Sequence, residues 1–203
     1  MLKTLFIAGA ASVALAASAQ AGMVVTFPST IEIPENNNFQ SYLNGIGLDV
    51  YASTGASITF DRSGTLKFEY LGAESGFDNV FHYGANSFAE DNDLDTGLEF
   101  MFEVSVSAGA WEGYFTSSGR PGKTFYPGVE EFGILLSAND ASGLNTNTLW
   151  IALDDQKVDD DDNHDDFIIR VTFIPDRDVP EPAMIGLLGF GLLGIGAARR
   201  RRI

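Results

Sequence analysis

The chain has 203 residues, no cysteine, and a formal charge of −16 from 12 Lys+Arg against 28 Asp+Glu. Such acidity disfavours nucleic-acid phosphates and anionic lipid as partners and attracts cations instead. Without cysteine there are no disulfides and no thiolate metal sites, so the fold rests on its core or on some other staple.

Residues 1–22 read MLKTLFIAGAASVALAASAQAG. Lys3, the apolar stretch from Leu5 to Ala17 and the small-x-small triplet Ala19-Gln20-Ala21 are the parts of a secretory signal peptide cut before Gly22. The expectation is a signal peptide over 1–21 and an exported domain over 22–178. That domain holds 7 Lys+Arg and 27 Asp+Glu, a formal charge of −20, which the arginines at the C-terminus mask in the whole-chain figure.

Within 22–178 the apolar period is two rather than 3.6, the mark of half-buried strands. The clearest run is Leu98, Phe100, Phe102, Val104 and Val106, alternating with Glu99, Met101, Glu103, Ser105 and Ser107. Ile58/Phe60, Leu66/Phe68/Tyr70, Phe132/Ile134/Leu136, Leu149/Ile151/Leu153 and Phe167/Ile169/Val171/Phe173 alternate in the same way. Turn signals such as Arg62-Ser63-Gly64 and Ser107-Ala108-Gly109 separate them. Gln40 to Leu48 has room for one turn of helix, and Asn36-Asn37-Asn38 and Ser117 to Gly122 read as surface loops. Short strands at this spacing predict an all-β, antiparallel β-sandwich or jelly-roll-like domain.

Residues 154–167 read DDQKVDDDDNHDDF. Strands on both sides make this acidic run the connection of a hairpin, longer than the usual two to five residues. Folding gathers its carboxylates, which repel one another unless a cation joins them. Ca2+ takes six to eight oxygen ligands and needs neither nitrogen nor sulfur, so it fits an Asp-rich, cysteine-free loop. A solvated acidic loop and a pair of catalytic carboxylates are the competing readings. Asp91-x-Asp93-x-Asp95 resembles the start of an EF-hand loop, but Thr96 and Phe102 stand where that loop needs Gly and Glu. Trp111, Tyr114 and Phe115 are candidates for a sugar platform, with core packing the commoner use of such rings. His82 and His164 are the two histidines; no GxSxG, HExxH or phosphate-binding glycine loop accompanies them. No catalytic residue is assigned, and a non-enzymatic protein is expected.

The chain closes on PEPAMIGLLGFGLLGIGAARRRRI. The uncharged residues 183–198 would form a helix about 24 Å long, slightly short of a bilayer core of about 30 Å. Arg199 to Arg202 would stop transfer and stay cytoplasmic. Pro180-Glu181-Pro182, the Gly/Leu-rich apolar segment 183–198 and Arg199, Arg200, Arg201 and Arg202 together resemble a PEP-CTERM sorting signal over 179–203. The resemblance implies a Gram-negative host that makes extracellular polysaccharide, recognition by a membrane-embedded exosortase, removal of the tail, and delivery to the cell surface or matrix.

Residues 129–174, with FGILLSAND, LWIALDD and DDNHDDFIIRV, resemble the DUF4114 family, whose members often carry surface-sorting signals. That resemblance implies Ca2+ ligands at Asp154, Asp155, Asp161, Asn163 and Asp166. Asn163 stands where the family has Asp, and Asp154 where it commonly has Glu. The expected protein is thus an exosortase-sorted surface or matrix module, Ca2+-stabilised and associated with extracellular polysaccharide. A carbohydrate-binding adhesin is the alternative, with a glycoside hydrolase or lyase behind it.

Overall fold

The computed structural model describes residues 22–26, 31–48, 50–52, 55–91, 93–128, 132–136, 147–155 and 163–176. The expected signal peptide 1–21, the apolar segment 183–198, the sorting signal 179–203 and Asp161 lie outside them. In chain order come β1 (Met23–Thr26), β2 (Ile31–Glu32), α1 (Gln40–Gly45), β3 (Val50–Ala52), β4 (Ser57–Phe60) and β5 (Gly64–Gly72). Then follow β6 (Asn79–Tyr83), β7 (Asn86–Ala89), β8 (Glu99–Val106), β9 (Gly109–Ala110), β10 (Tyr114–Ser117) and β11 (Thr124–Phe125). The series ends with β12 (Phe132–Leu136), β13 (Thr148–Leu153) and β14 (Phe167–Pro175).

The protein is all-β with antiparallel pairing. A seven-stranded sheet runs β2-β3-β12-β13-β14-β5-β8, a four-stranded sheet runs β11-β10-β6-β7, and a three-stranded sheet runs β1-β4-β9. One face of the large sheet packs on the two smaller ones. Alternate residues supply that face: Leu66, Phe68 and Tyr70 from β5, Leu149, Ile151 and Leu153 from β13, and Phe167, Ile169, Val171 and Phe173 from β14. They meet Phe81, Phe115 and Phe60 of the smaller sheets, with ring centroids 5.2 Å apart for Phe68–Phe81, 5.3 Å for Phe115–Phe167 and 5.5 Å for Phe60–Phe173. Each fully buried phenylalanine stabilises the fold by roughly 1.5–3 kcal/mol relative to an exposed one.

The far face of the large sheet is covered in part as well. Leu71, Trp150, Ala152 and Ile168 point away from the first core and pack with Phe39, Leu43 and Leu48 around α1. This explains why β13 reads as a continuous apolar run, TLWIAL, rather than a strict alternation. The expected turn of helix forms: the side-chain Oδ1 of Asn37 accepts the Phe39 N–H at 2.8 Å at its start, and Gly47, at φ 88°, follows its end.

Two expectations need correction. Phe100 was placed on the core face with Phe102, Val104 and Val106, yet it is 56% exposed. The β5–β8 register shifts between Phe68 and Glu69, so Phe102 faces Phe68 but Phe100 faces Glu69. The bulge moves Phe100 to the outer face. The second correction concerns Asn37, expected in a surface loop but only 4% exposed, for reasons that lie in the acidic hairpin.

Candidate cation site

β13 and β14 pair from Thr148↔Thr172 to Leu153↔Phe167, so the expected hairpin forms. Its mouth is held by the Asp166 N–H donating to the Leu153 carbonyl at 3.2 Å. Asp154-Asp155 leave β13 there and Asp165-Asp166 lead into β14. These four aspartates, Asn163 and His164 are all buried; Asp155 and Asp165 have no measurable exposure. A carboxylate out of water needs a donor or a cation.

Several donors come from far along the chain. Ser75 Oγ and Asn79 Nδ2 each lie 2.7 Å from Asp155 Oδ2. Asn79 Nδ2 also lies 3.0 Å from Ser75 Oγ and 3.3 Å from the Asp166 carbonyl. The Asp155 N–H donates to Asp166 Oδ2 at 2.7 Å, which clamps the two sides of the mouth. The Asn38 N–H donates to Asp165 Oδ2 at 2.7 Å, and the Glu74 N–H to the Asp165 carbonyl at 2.9 Å. Asn37 Nδ2 donates to the carbonyls of Asn163 at 2.8 Å and His164 at 3.2 Å. His164 takes φ 54°, a left-handed conformation in which His, Asn and Asp are enriched.

Burial pushes the Asp166 carboxyl well above the usual range; the Asp155 N–H opposes this, and the charges of Asp155, Asp154 and Asp165 add to it. Glu90, just past β7, accepts the Asn79 N–H at 3.1 Å through Oε1. Burial pushes its carboxyl up to about 7, opposed by that N–H and reinforced by Asp155, Asp78 and Asp91. Arg170 and Lys67 are engaged elsewhere, with Glu69: Lys67 Nζ lies 2.7 Å from Oε1, and Arg170 Nε lies 2.8 Å from Oε2.

Three buried oxygens in this region accept no hydrogen bond from the described residues: Asp155 Oδ1, Asn79 Oδ1 and Glu90 Oε2. An all-oxygen set of this kind suits a hard cation such as Ca2+. Among the described residues, however, no three carboxylates or imidazoles are gathered closely enough to form a metal cage.

Of the five ligands expected from the sequence, Asp154, Asp155, Asn163 and Asp166 are buried on the two sides of the hairpin mouth, without closing into a three-carboxylate cage among the described residues, and Asp161 lies outside those residues. Asp165, passed over in the sequence, is as deeply buried as Asp155. Ser75, Asn79, Asn37 and Glu90 were missed too, because nothing local marks a single Asn or Ser whose partner is 76 to 127 residues away. The candidate aromatic platform does not form as a unit, and core packing, the commoner use, accounts for two of its three rings. Phe115 is fully buried, and Trp111 packs on Phe68, Phe81 and Tyr83 while its Nε1 donates to the Gly113 carbonyl at 2.7 Å. Tyr114 faces outward and stacks on His82 at 4.8 Å. Asp91, Asp93 and Asp95 are exposed.

Residues 178–202 match the PEP-CTERM protein-sorting motif. The chain carries a PEP-CTERM sorting signal. This bears out the expected signal over 179–203 to within a residue at each end, and it implies export through the membrane to the cell surface and processing by an exosortase. No curated protein and no solved structure matches the chain. Among the described residues no helix is long and apolar enough to cross a membrane.

Proposed function

We propose that this PEP-CTERM protein is a non-enzymatic module of the cell surface or extracellular matrix of a Gram-negative bacterium, with an all-β domain stabilised by Ca2+. One observation carries the reading: four aspartates are buried at the mouth of the β13–β14 hairpin, and Asp155 Oδ1 accepts no hydrogen bond from the described residues. Asp154, Asp155, Asp166 and Asn163 would hold the ion, with Asp161 from the hairpin connection; the DUF4114-like pattern over 129–174 supports the same set. Bound Ca2+ would supply positive charge that lets these carboxylates stay ionised in a buried place. The gain is rigidity in an exported domain that has no disulfides, and a surface suited to acidic polysaccharide. Before processing, residues 183–198 would anchor the precursor in the inner membrane with the arginines in the cytoplasm.

The test is calorimetric titration of the full chain with CaCl2 and MgCl2, together with melting in CaCl2 and in EDTA. Submillimolar Ca2+ affinity and a higher melting temperature are expected; absence of both refutes the reading.

A carbohydrate-binding adhesin is the second reading. It is favoured by a cleft of about 310 Å³ at the other end of β6, where Phe60 and Tyr83 lie beside Asn86 and Glu112. Polar groups at its rim suit a sugar's hydroxyls, while Phe60 and Tyr83, 4% and 2% exposed, form its buried floor. Retention on polysaccharide that survives EDTA and is lost in Glu112→Gln would favour this reading over structural packing alone.

A further inference from the structure

The Ca2+ site proposed above is drawn from one hairpin of the large sheet. We propose that the ion is also bound by Asn79 Oδ1 and Glu90 Oε2 from the four-stranded sheet, so that it ties the two layers together. The inference rests on the reading of the hairpin mouth as a Ca2+ site and goes beyond it in assigning two ligands and a mechanical role.

Asn79 opens β6 and Glu90 follows β7, the strand paired with β6. They are bound to each other twice: the Asn79 N–H donates to Glu90 Oε1, and the Glu90 N–H donates to the Asn79 carbonyl, both at 3.1 Å. The Asn79 side chain has no measurable exposure and reaches across to the hairpin, where its Nδ2 sits 2.7 Å from Asp155 Oδ2. This leaves the amide with its donor half used and its Oδ1 unpartnered among the described residues. Asp155 is in the mirror situation, with Oδ2 satisfied and Oδ1 unpartnered. Glu90 is likewise half-used, with Oε1 bonded and Oε2 buried and unpartnered. Three neighbouring residues thus each keep one buried oxygen that accepts no hydrogen bond from the described residues, an arrangement that costs free energy unless a cation or a donor fills it. These two carboxylates and one amide supply three of the six to eight oxygens that Ca2+ takes, and the rest of the hairpin mouth would supply the others.

The test uses the full chain with CaCl2 as probe. In the wild type, Ca2+ should slow amide exchange at residues 79–90 as well as at 148–155 and 163–175. Asn79→Ala and Glu90→Gln should each weaken Ca2+ binding about tenfold or more. Asn79→Asp keeps an oxygen ligand but sets a carboxylate against Asp155. It should therefore melt lower than the wild type in EDTA and gain more from Ca2+. Asn79→Asp keeps the test decisive even if Asn79→Ala fails to fold. Wild-type binding with protection confined to the hairpin, unchanged affinity in Glu90→Gln, and no larger Ca2+ gain in Asn79→Asp would overturn the cross-sheet ligation and leave the hairpin site standing. Absence of Ca2+ binding by the wild type would overturn both.

Discussion

Replacing Asp155 by Asn should move stability in opposite directions with and without calcium. Without it, Asp155 is a buried carboxylate at a mouth shared with Asp154, Asp165 and Asp166, joined to Asp166 by the 2.7 Å bond from its own N–H. Two unit charges about 5 Å apart in an effective dielectric near 20 repel by roughly 3 kcal/mol. Protonation of Asp166 already relieves part of this, so Asp155→Asn should gain about 1 kcal/mol in EDTA, or about 2–4 °C for a domain of this size. The amide can keep an oxygen toward Ser75 Oγ and Asn79 Nδ2, so little hydrogen bonding is lost. With calcium the balance reverses. At a hundred times its dissociation constant a ligand that binds only the native state stabilises it by about 2.7 kcal/mol, or about 5–11 °C. If removing the Asp155 charge weakens binding about a hundredfold, the same calcium gives only about 0.4 kcal/mol, near 1 °C. Melting followed by the fluorescence of Trp111 and Trp150, in EDTA and in CaCl2, reads both arms. A variant that melts lower than the wild type in EDTA, yet gains as much from calcium, would refute the reasoning.

Three other outcomes are expected. Phe68→Ala removes a fully buried ring packed on Phe81, Tyr83, Phe102 and Trp111 and should cost about 3–5 kcal/mol in urea unfolding. Burial raises the Glu69 carboxyl, but the hydrogen bonds from Lys67 and Arg170 outweigh it and hold the group below 4.5. The stability it contributes is therefore full above 4.5 and is lost as pH falls through the lower folded value. Glu69→Gln should cost about 1 kcal/mol at pH 7, allowing for solvent screening of the partly exposed partners, and progressively less on acidification. Replacing Pro180-Glu181-Pro182 by alanines, or deleting Arg199–Arg202, should leave unprocessed precursor in the membrane fraction on immunoblots; normal processing and surface delivery would contradict the assigned route.

Alternation alone placed the cores of β5, β13 and β14 and the hairpin between the last two, because period two is a local property that a half-buried sheet imposes on every strand. The division into sheets of seven, four and three strands left no such mark. It depends on pairings such as Gly64↔Pro175 and Met23↔Phe60, between segments far apart in the chain. Phe100 was misplaced because a bulge reverses facing without changing the apolar pattern. At the candidate site the acidic composition was legible and the answering residues were not. Asn37 sits in an Asn triplet that reads as a turn, and Asn79 sits in an unremarkable GFDNV; only the folded chain brings them to Asn163 and Asp155.

The acidic hairpin opens β14, and the sorting motif follows the same strand in the sequence. β14 carries the acidic mouth before Phe167 and ends at Pro175, and the sorting motif begins at residue 178. The nine residues of β14 make eight steps of about 3.3 Å, which separate the two ends by about 26 Å. β14 lies between β13 and β5, with partners on both sides. Pulling on the C-terminus therefore loads an internal strand, which would yield only by breaking both ladders at once. A cation at the far end would brace the same strand where it has no further pairing to rely on. On this geometry calcium should matter most for resistance to unfolding from the C-terminal end. Pulling the chain from its C-terminus by optical tweezers should need higher force in CaCl2 than in EDTA, and equal forces would show that the hairpin mouth bears none of the load.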